Sequence, residues 1–255
     1  MRHEWDLIPG EDPRVMRDRV ALDMSSVLNG ADASEIIRQG HDMFGDKMAL
    51  VSSFGAESVV LLHLAAGINP AMPVIFIDTQ MLFAETLQYQ LDVAAHLGLT
   101  NIQRITADDT VLRLSDPEST LHQVAPDDCC HLRKTMPLET ALLGYSAWIT
   151  GRKRHQTQDR ATMNVVEVDH AGRTKLNPLA SWGRQTVSDY METHDLPRHP
   201  LVKQGFQSIG CAPCTSKTVA GEDPRAGRWR GAEKTECGIH FGADGTIKRN
   251  SEKVA

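Results

Sequence analysis

Four short apolar runs constrain the fold most: Met48-Ala49-Leu50-Val51, Val74-Ile75-Phe76-Ile77, Ile102-Gln103-Arg104-Ile105 and Ala147-Trp148-Ile149-Thr150. Each has the length and composition of a buried strand. Helical patterns separate them. Val59 to Ala66 ends at Gly67, and Phe83 to Leu97 stops at Gly98. Alternation of strand and helix implies right-handed crossovers and a parallel sheet with helices on both faces, a Rossmann-like α/β fold. Val165 to Val168 and Thr174 to Leu176, around Gly172, predict a hairpin. A last core helix is expected from Thr186 to His194, broken by Pro197. Residues 1–47 read as a helical leader packing on the core, with Ser34 as a helix cap. Residues 48–200 read as the nucleotide-binding core. Residues 201–255, punctuated by glycine and weakly periodic, read as a flexible tail that need not pack permanently.

The chain has 255 residues, enough for one large domain or two small ones. Its net charge of −6 argues against a general nucleic-acid coat. No apolar run is long enough to span a bilayer, and Met1 to Asp6 lacks the apolar core of a signal peptide, so no membrane partner is expected and the cytoplasm is.

Chemistry gathers where strands end. Ser52-Ser53-Phe54-Gly55-Ala56-Glu57-Ser58 joins the first strand to a helix, which suits either an anion site or an ordinary turn. It is neither a Walker A loop nor a G-x-G-x-x-G motif. Asp78-Thr79 closes the second strand, and Gly151-Arg152-Lys153-Arg154-His155 leaves the fourth, the edge where open α/β sheets bind ligands.

The five cysteines fall as Cys129-Cys130, Cys211-x-x-Cys214 and Cys237, which reads as four ligands plus one thiol. Four thiolates suit tetrahedral zinc or an iron–sulfur cluster. Adjacent residues on a helix do not share a face, so separate iron corners ease the geometry. The helical stretch opened by Cys129-Cys130 runs toward Leu143, and Pro137 interrupts it, so a kink or two short helices are expected. Arg133 and Lys134 each lie four residues after a cysteine, where their charge would offset that of thiolates or reach an anionic substrate. Cys237 lies in Lys234-Thr235-Glu236-Cys237-Gly238-Ile239-His240. Lys234 and His240 favour its thiolate and Glu236 opposes it. The heptad alone suits an idle tail cysteine equally well.

Taken together, Ser53 to Ser58, Ile77-Asp78-Thr79 with Glu85-Thr86, Cys129-Cys130-x-x-Arg133-Lys134-x-x-Pro137-Leu138, Gly151-Arg152-x-Arg154-x-Gln156, Gly210-Cys211-x-Pro213-Cys214-Thr215, Gly227-Arg228-Trp229 and Glu236 to His240 carry a resemblance. Over about Leu50 to His240 the chain resembles the assimilatory adenylyl-sulfate reductases, within the phosphoadenylyl-sulfate reductase group. The resemblance implies an adenine nucleotide α-hydrolase-like sheet and a [4Fe-4S] cluster on Cys129, Cys130, Cys211 and Cys214. Relatives with both cysteine pairs mainly use adenylyl sulfate, so the unphosphorylated substrate is implied. Cys237 would be the nucleophile, forming an S-sulfocysteine that a thioredoxin or glutaredoxin-like reductant resolves to sulfite. Lys134, Arg160, Arg225 and Arg228 would hold the phosphosulfate, and His240 would orient the anion or adjust the thiol. Ser52, Ser53, Phe54, Gly55, Ser58, Asp78 and Thr79 would contact the nucleotide. A homo-oligomer is allowed. Two stretches depart from the family: Gln80 to Phe83, where relatives often have Gly-Arg, and His155 to Arg160, where many carry an acidic residue and a serine. Other readings are a phosphoadenylyl-sulfate reductase, a tRNA-modifying ATP pyrophosphatase of the same fold, and a non-catalytic zinc or cluster module. The acidic charge and Glu57 count against the pyrophosphatase.

Overall fold

The computed structural model describes residues 12–232, 234 and 236. Its helices are α1 Pro13–Leu28, α2 Ala33–Phe44, α3 Ser58–Ala66, α4 Ala84–Leu97, α5 Asp109–Ser115, α6 Leu121–Val124, α7 Pro126–Cys130, α8 Met136–Ala141 and α9 Arg184–Thr193. Its strands are β1 Met48–Ser52, β2 Val74–Ile77, β3 Ile102–Ile105, β4 Ala147–Ile149, β5 Val166–Val168 and β6 Thr174–Leu176. They form one sheet in the order β3-β2-β1-β4-β6-β5. All pairs are parallel except the β5–β6 hairpin.

Alternate side chains of the strands enter opposite layers. Met48 and Leu50, Val74 and Phe76, and Ala147 and Ile149 join the larger core under α1, α2, α3, α4 and α9. Ala49, Ile75, Ile77 and Trp148 face the other way, onto Leu138 and Leu142 at α8. Ala21, Met24 and Leu28 of α1 and Ile36 and Ile37 of α2 belong to the larger core, so the described part of the leader is packed. The residue capping α2 is Asp32, not Ser34.

Two expectations are corrected. The run forms two short helices, α7 and α8, as expected, but Cys129-Cys130 closes α7 and the run does not part at Pro137, which lies inside α8. It opens into a π-helical turn, His131–Thr135, between α7 and α8. Proline has no N–H to give the carbonyl four residues back, and the widened turn absorbs that loss. Nor is the segment after Pro200 loose over its described length. Leu201, Ile209, Cys211 and Trp229 are buried. Cys211 bridges Leu82, and Thr215 bridges Arg228. A Cβ on Gly227 would lie 2.2 Å from the Ser216 carbonyl oxygen, so only glycine allows this chain crossing.

Completely buried His199 ties that segment to α4. Its Nδ1 accepts from the Leu201 N–H at 3.2 Å, which puts the ring proton on Nε2, 3.1 Å from Thr86 Oγ1. Burial drives its pKa from 6.5 down to about 4. Unfolded chains therefore take up this proton first, and stability falls as pH drops from 6.5 toward 4, by about 3 kcal/mol in full. Urea midpoints measured across this window should fall less steeply in His199→Asn than in the parent. Equal slopes would exclude His199 as a source of the acid lability.

Candidate functional site

Strand order reverses between β1 and β4, and a cavity of about 270 Å³ opens beyond their carboxyl ends. This is the switch point at which doubly wound sheets take ligands. Ser52, Ser53, Gly55 and Ser58 line it from the β1–α3 turn, with Thr79 from β2 and Thr150 and Gly151 from β4. The turn is held by its own hydroxyls: the Phe54 N–H donates to Ser52 Oγ at 3.2 Å, and the Gly55 N–H to Ser58 Oγ at 2.9 Å.

Two residues expected at the ligand have side chains elsewhere. Phe54, at φ +47°, turns its ring into the core, edge-on to Phe76 with centroids 5.0 Å apart. The Asp78 carboxylate is buried against Arg104, whose Nε lies at 2.9 Å, and accepts the Gln80 N–H at 2.8 Å. Neither lines the cavity. Gln80 itself sits at φ +59°, a left-handed conformation that glycine adopts without strain, at one of the positions where the family pattern is broken.

The cavity is cationic. Lys134, Arg160, Arg225 and Arg228 all line it, together with Arg152 and Lys153, against the carboxylates Glu57 and Glu236. The last four were absent from the sequence-derived set of site residues. The basic run leaving β4 was the available signal for Arg152 and Lys153. Lys153 Nζ bonds Glu57 at 2.8 Å, 96 residues away in sequence, and Arg152 pairs with nearby Glu167. Arg160 reaches Glu236 at 2.6 Å and Gln156 at 2.5 Å. Arg228 has no carboxylate partner among the described residues. Its guanidinium lies over the Trp229 ring at 4.5 Å and donates to the Ile209 carbonyl at 3.3 Å. A Cβ on Gly210 would fall 2.2 Å from that guanidinium, so the missing side chain makes its berth.

Cys129, Cys130 and Cys211 are buried and Cys214 half-buried. The β2–α4 loop fixes one pair: the Ala212 N–H donates to the Met81 carbonyl at 2.8 Å, and Cys211 Sγ lies 3.2 Å from Thr79 Oγ1. Arg133 lies three residues beyond Cys130, on the π-turn. It is buried and bonds Asp116 at 2.7 Å and the Thr79 carbonyl at 3.2 Å, so it serves as a strut and not as a substrate contact. Burial pushes the Cys129 thiol up to about 11, and the negative charge of Cys130, Cys211 and Cys214 adds to the shift. The Cys214 thiol is also raised by burial and by Cys211, against opposing pulls from Lys134, Arg228 and Lys234.

Among the described residues no group of three or more His, Cys, Asp or Glu side chains could hold a metal ion as they stand. The chemistry of the donor set, four thiols, fits an iron–sulfur cluster as well as a tetrahedral zinc. Trp229 lies beside this set, its backbone N–H bonding the Cys214 carbonyl at 3.0 Å, and its buried Nε1 has no hydrogen-bond partner. Lys134 and Arg228 belong to both places, lining the cavity and acting on Cys214.

Cys237 and His240 lie outside the described residues. Their described neighbours are anchored. Lys234 pairs with Asp127 of α7 and donates to the Pro126 carbonyl at 3.3 Å, and Glu236 lies among the cavity arginines. No helix among the described residues is long and apolar enough to cross a membrane.

Comparison with known proteins agrees with this geometry. Residues 47–217 match the phosphoadenosine phosphosulfate reductase domain. The chain is 49% identical over 208 residues to an adenosine 5′-phosphosulfate reductase of Mesorhizobium japonicum, covering 81% of this chain and 82% of that protein. A phosphoadenylyl-sulfate reductase of Candida auris, solved with phosphate, superposes with a TM-score of 0.65 at 25% identity, over 78% of this chain and 96% of the other. The FMN adenylyltransferase of Candida glabrata, solved with FMN and an ATP analogue, shares the fold alone, with a TM-score of 0.51 at 15% identity over 86% of this chain and 74% of its own. The chain belongs to the phosphoadenosine phosphosulfate reductase family, oxidoreductases that act on a sulfur group.

Proposed function

We propose that the chain reduces adenylyl sulfate to sulfite and AMP, with thioredoxin or a glutaredoxin-like protein as the reductant. The observation that carries this reading is the cationic cavity beyond the carboxyl ends of β1 and β4, which Lys134, Arg160, Arg225 and Arg228 line. The relatives named adenosine 5′-phosphosulfate reductases, at 38–49% identity, supply the substrate. Cys129, Cys130, Cys211 and Cys214 would hold a [4Fe-4S] cluster, which when bound supplies fixed charge beside the substrate.

The turn from Ser52 to Ser58 and Thr79 would take the nucleotide, while Lys134, Arg160, Arg225 and Arg228 would hold the phosphosulfate. Cations aimed there in advance stabilise charge as it develops on the leaving phosphate. The Cys237 thiolate attacks the sulfonate sulfur, a sulfur–sulfur bond forms, and the sulfur–oxygen bond to AMP breaks with its electron pair leaving on AMP. His240 orients the anion or tunes the thiol. A thioredoxin thiolate then attacks Cys237 Sγ and sulfite leaves with the bonding pair. The second thioredoxin thiol closes a disulfide and restores Cys237. The dithiol thus gives up the two electrons that sulfate sulfur gains.

The test is sulfite release with reduced thioredoxin from adenylyl sulfate, run beside its 3′-phosphorylated form. Faster turnover of adenylyl sulfate is expected. Preference for the 3′-phosphate would move the chain to the specificity of its Candida auris relative, and no sulfite from either would end the reading.

A further inference from the structure

The cationic cavity already contains an anion of its own. Glu236 projects a carboxylate into it, with Oε2 2.6 Å from Arg160 and 3.6 Å from Arg225, while Oε1 accepts from Thr157 Oγ1 at 3.1 Å. Two guanidinium groups and a hydroxyl are the grip a sulfate or phosphate oxygen would receive. The pairs are largely screened from water: the side chains of Arg160, Arg225 and Glu236 are 9%, 21% and 22% exposed. Arg160 is further oriented by Gln156 at 2.5 Å, so the berth is built.

We propose that Glu236 is an internal stand-in for the substrate's oxyanion, competing with it for Arg160 and Arg225. This rests on the reading that those arginines hold the phosphosulfate. The two anions cannot share the pair without like-charge repulsion at close range. An incoming phosphosulfate must displace the carboxylate, and Glu236 immediately precedes Cys237 in the chain. Occupation of the anion site is therefore coupled to the placement of the residue beside the nucleophile. Glu236 is a positioning residue in this scheme and takes no part in bond making.

Glu236→Gln keeps the size and the Thr157 contact but removes the charge. Calorimetric titration with inorganic sulfate, on the parent and the variant, should show sulfate binding about tenfold tighter in the variant, the worth of one charge-assisted contact. That gain should vanish when Arg160→Ala is added. Binding that is unchanged or weaker in the folded variant, or a gain that survives the loss of Arg160, would overturn the competition. A second titration uses adenylyl sulfate on Cys237→Ser proteins, so that no turnover occurs, with neutral adenosine as control. Tightening of adenylyl sulfate but not of adenosine is expected. If sulfate responds as expected but adenylyl sulfate does not bind at all, the competition stands and the substrate reading fails.

Discussion

Cys237→Ser should abolish sulfite release, by on the order of a thousandfold or more, while leaving iron content and nucleotide affinity at the parent values. Serine keeps the size of the side chain but is a far weaker nucleophile at neutral pH. The residue is one of five cysteines, and the other four lie in segments of their own, Cys211 beside Thr79 and Cys214 bonded through its carbonyl to Trp229. Replacing it should therefore leave the four-thiol set untouched. Sulfite assays under single-turnover conditions, with iron and sulfide quantified on the same preparation, check both halves. Retained sulfite release would remove Cys237 from the chemistry. Lost iron would place it among the ligands.

The second large effect is expected at Cys129. Cys129→Ala removes one of four ligands and should strip iron and sulfide from anaerobically purified protein, with sulfite release lost as a consequence. A bound group that only the folded chain holds adds its binding free energy to stability, so the thermal midpoint should fall as well. Metal analysis of the parent decides between iron with sulfide and zinc. One zinc per chain and no sulfide would favour a structural metal site and contradict the cluster. In Arg228→Ala, by contrast, iron should remain while adenylyl sulfate binding weakens, because Arg228 acts on Cys214 through charge and not through a bond.

Much of this was legible in the sequence. The central strands are near-continuous apolar runs, so β1, β2 and β4 stand out, and Gly172 with its flanks marks the hairpin. The location of the cavity follows from the same pattern, since polar residues leave those strands at one edge of the sheet. Other features depend on contacts that no local pattern encodes. The segment after Pro200 is held by single bridges, Cys211 to Leu82 and Thr215 to Arg228, and by a close crossing at Gly227. It therefore lacks the periodicity that would have announced its packing. Phe54 turns inward because its backbone takes a positive φ that bulky residues seldom adopt. Lys153 and Glu57 meet across 96 residues, and Arg160 and Glu236 across 76, so the sequence shows the charges but not the pairs. In sequence Glu236 opposes the Cys237 thiolate, yet in the fold its charge is met by Arg160 and Arg225.

Mass analysis after one turnover tests the central claim most directly. The protein is mixed with adenylyl sulfate in the absence of any thiol reductant, quenched and digested. One added sulfonate on the peptide carrying Cys237, removed on later addition of reduced thioredoxin with release of sulfite, is the expected result. No adduct, or an adduct on Cys129, Cys130, Cys211 or Cys214, would contradict it.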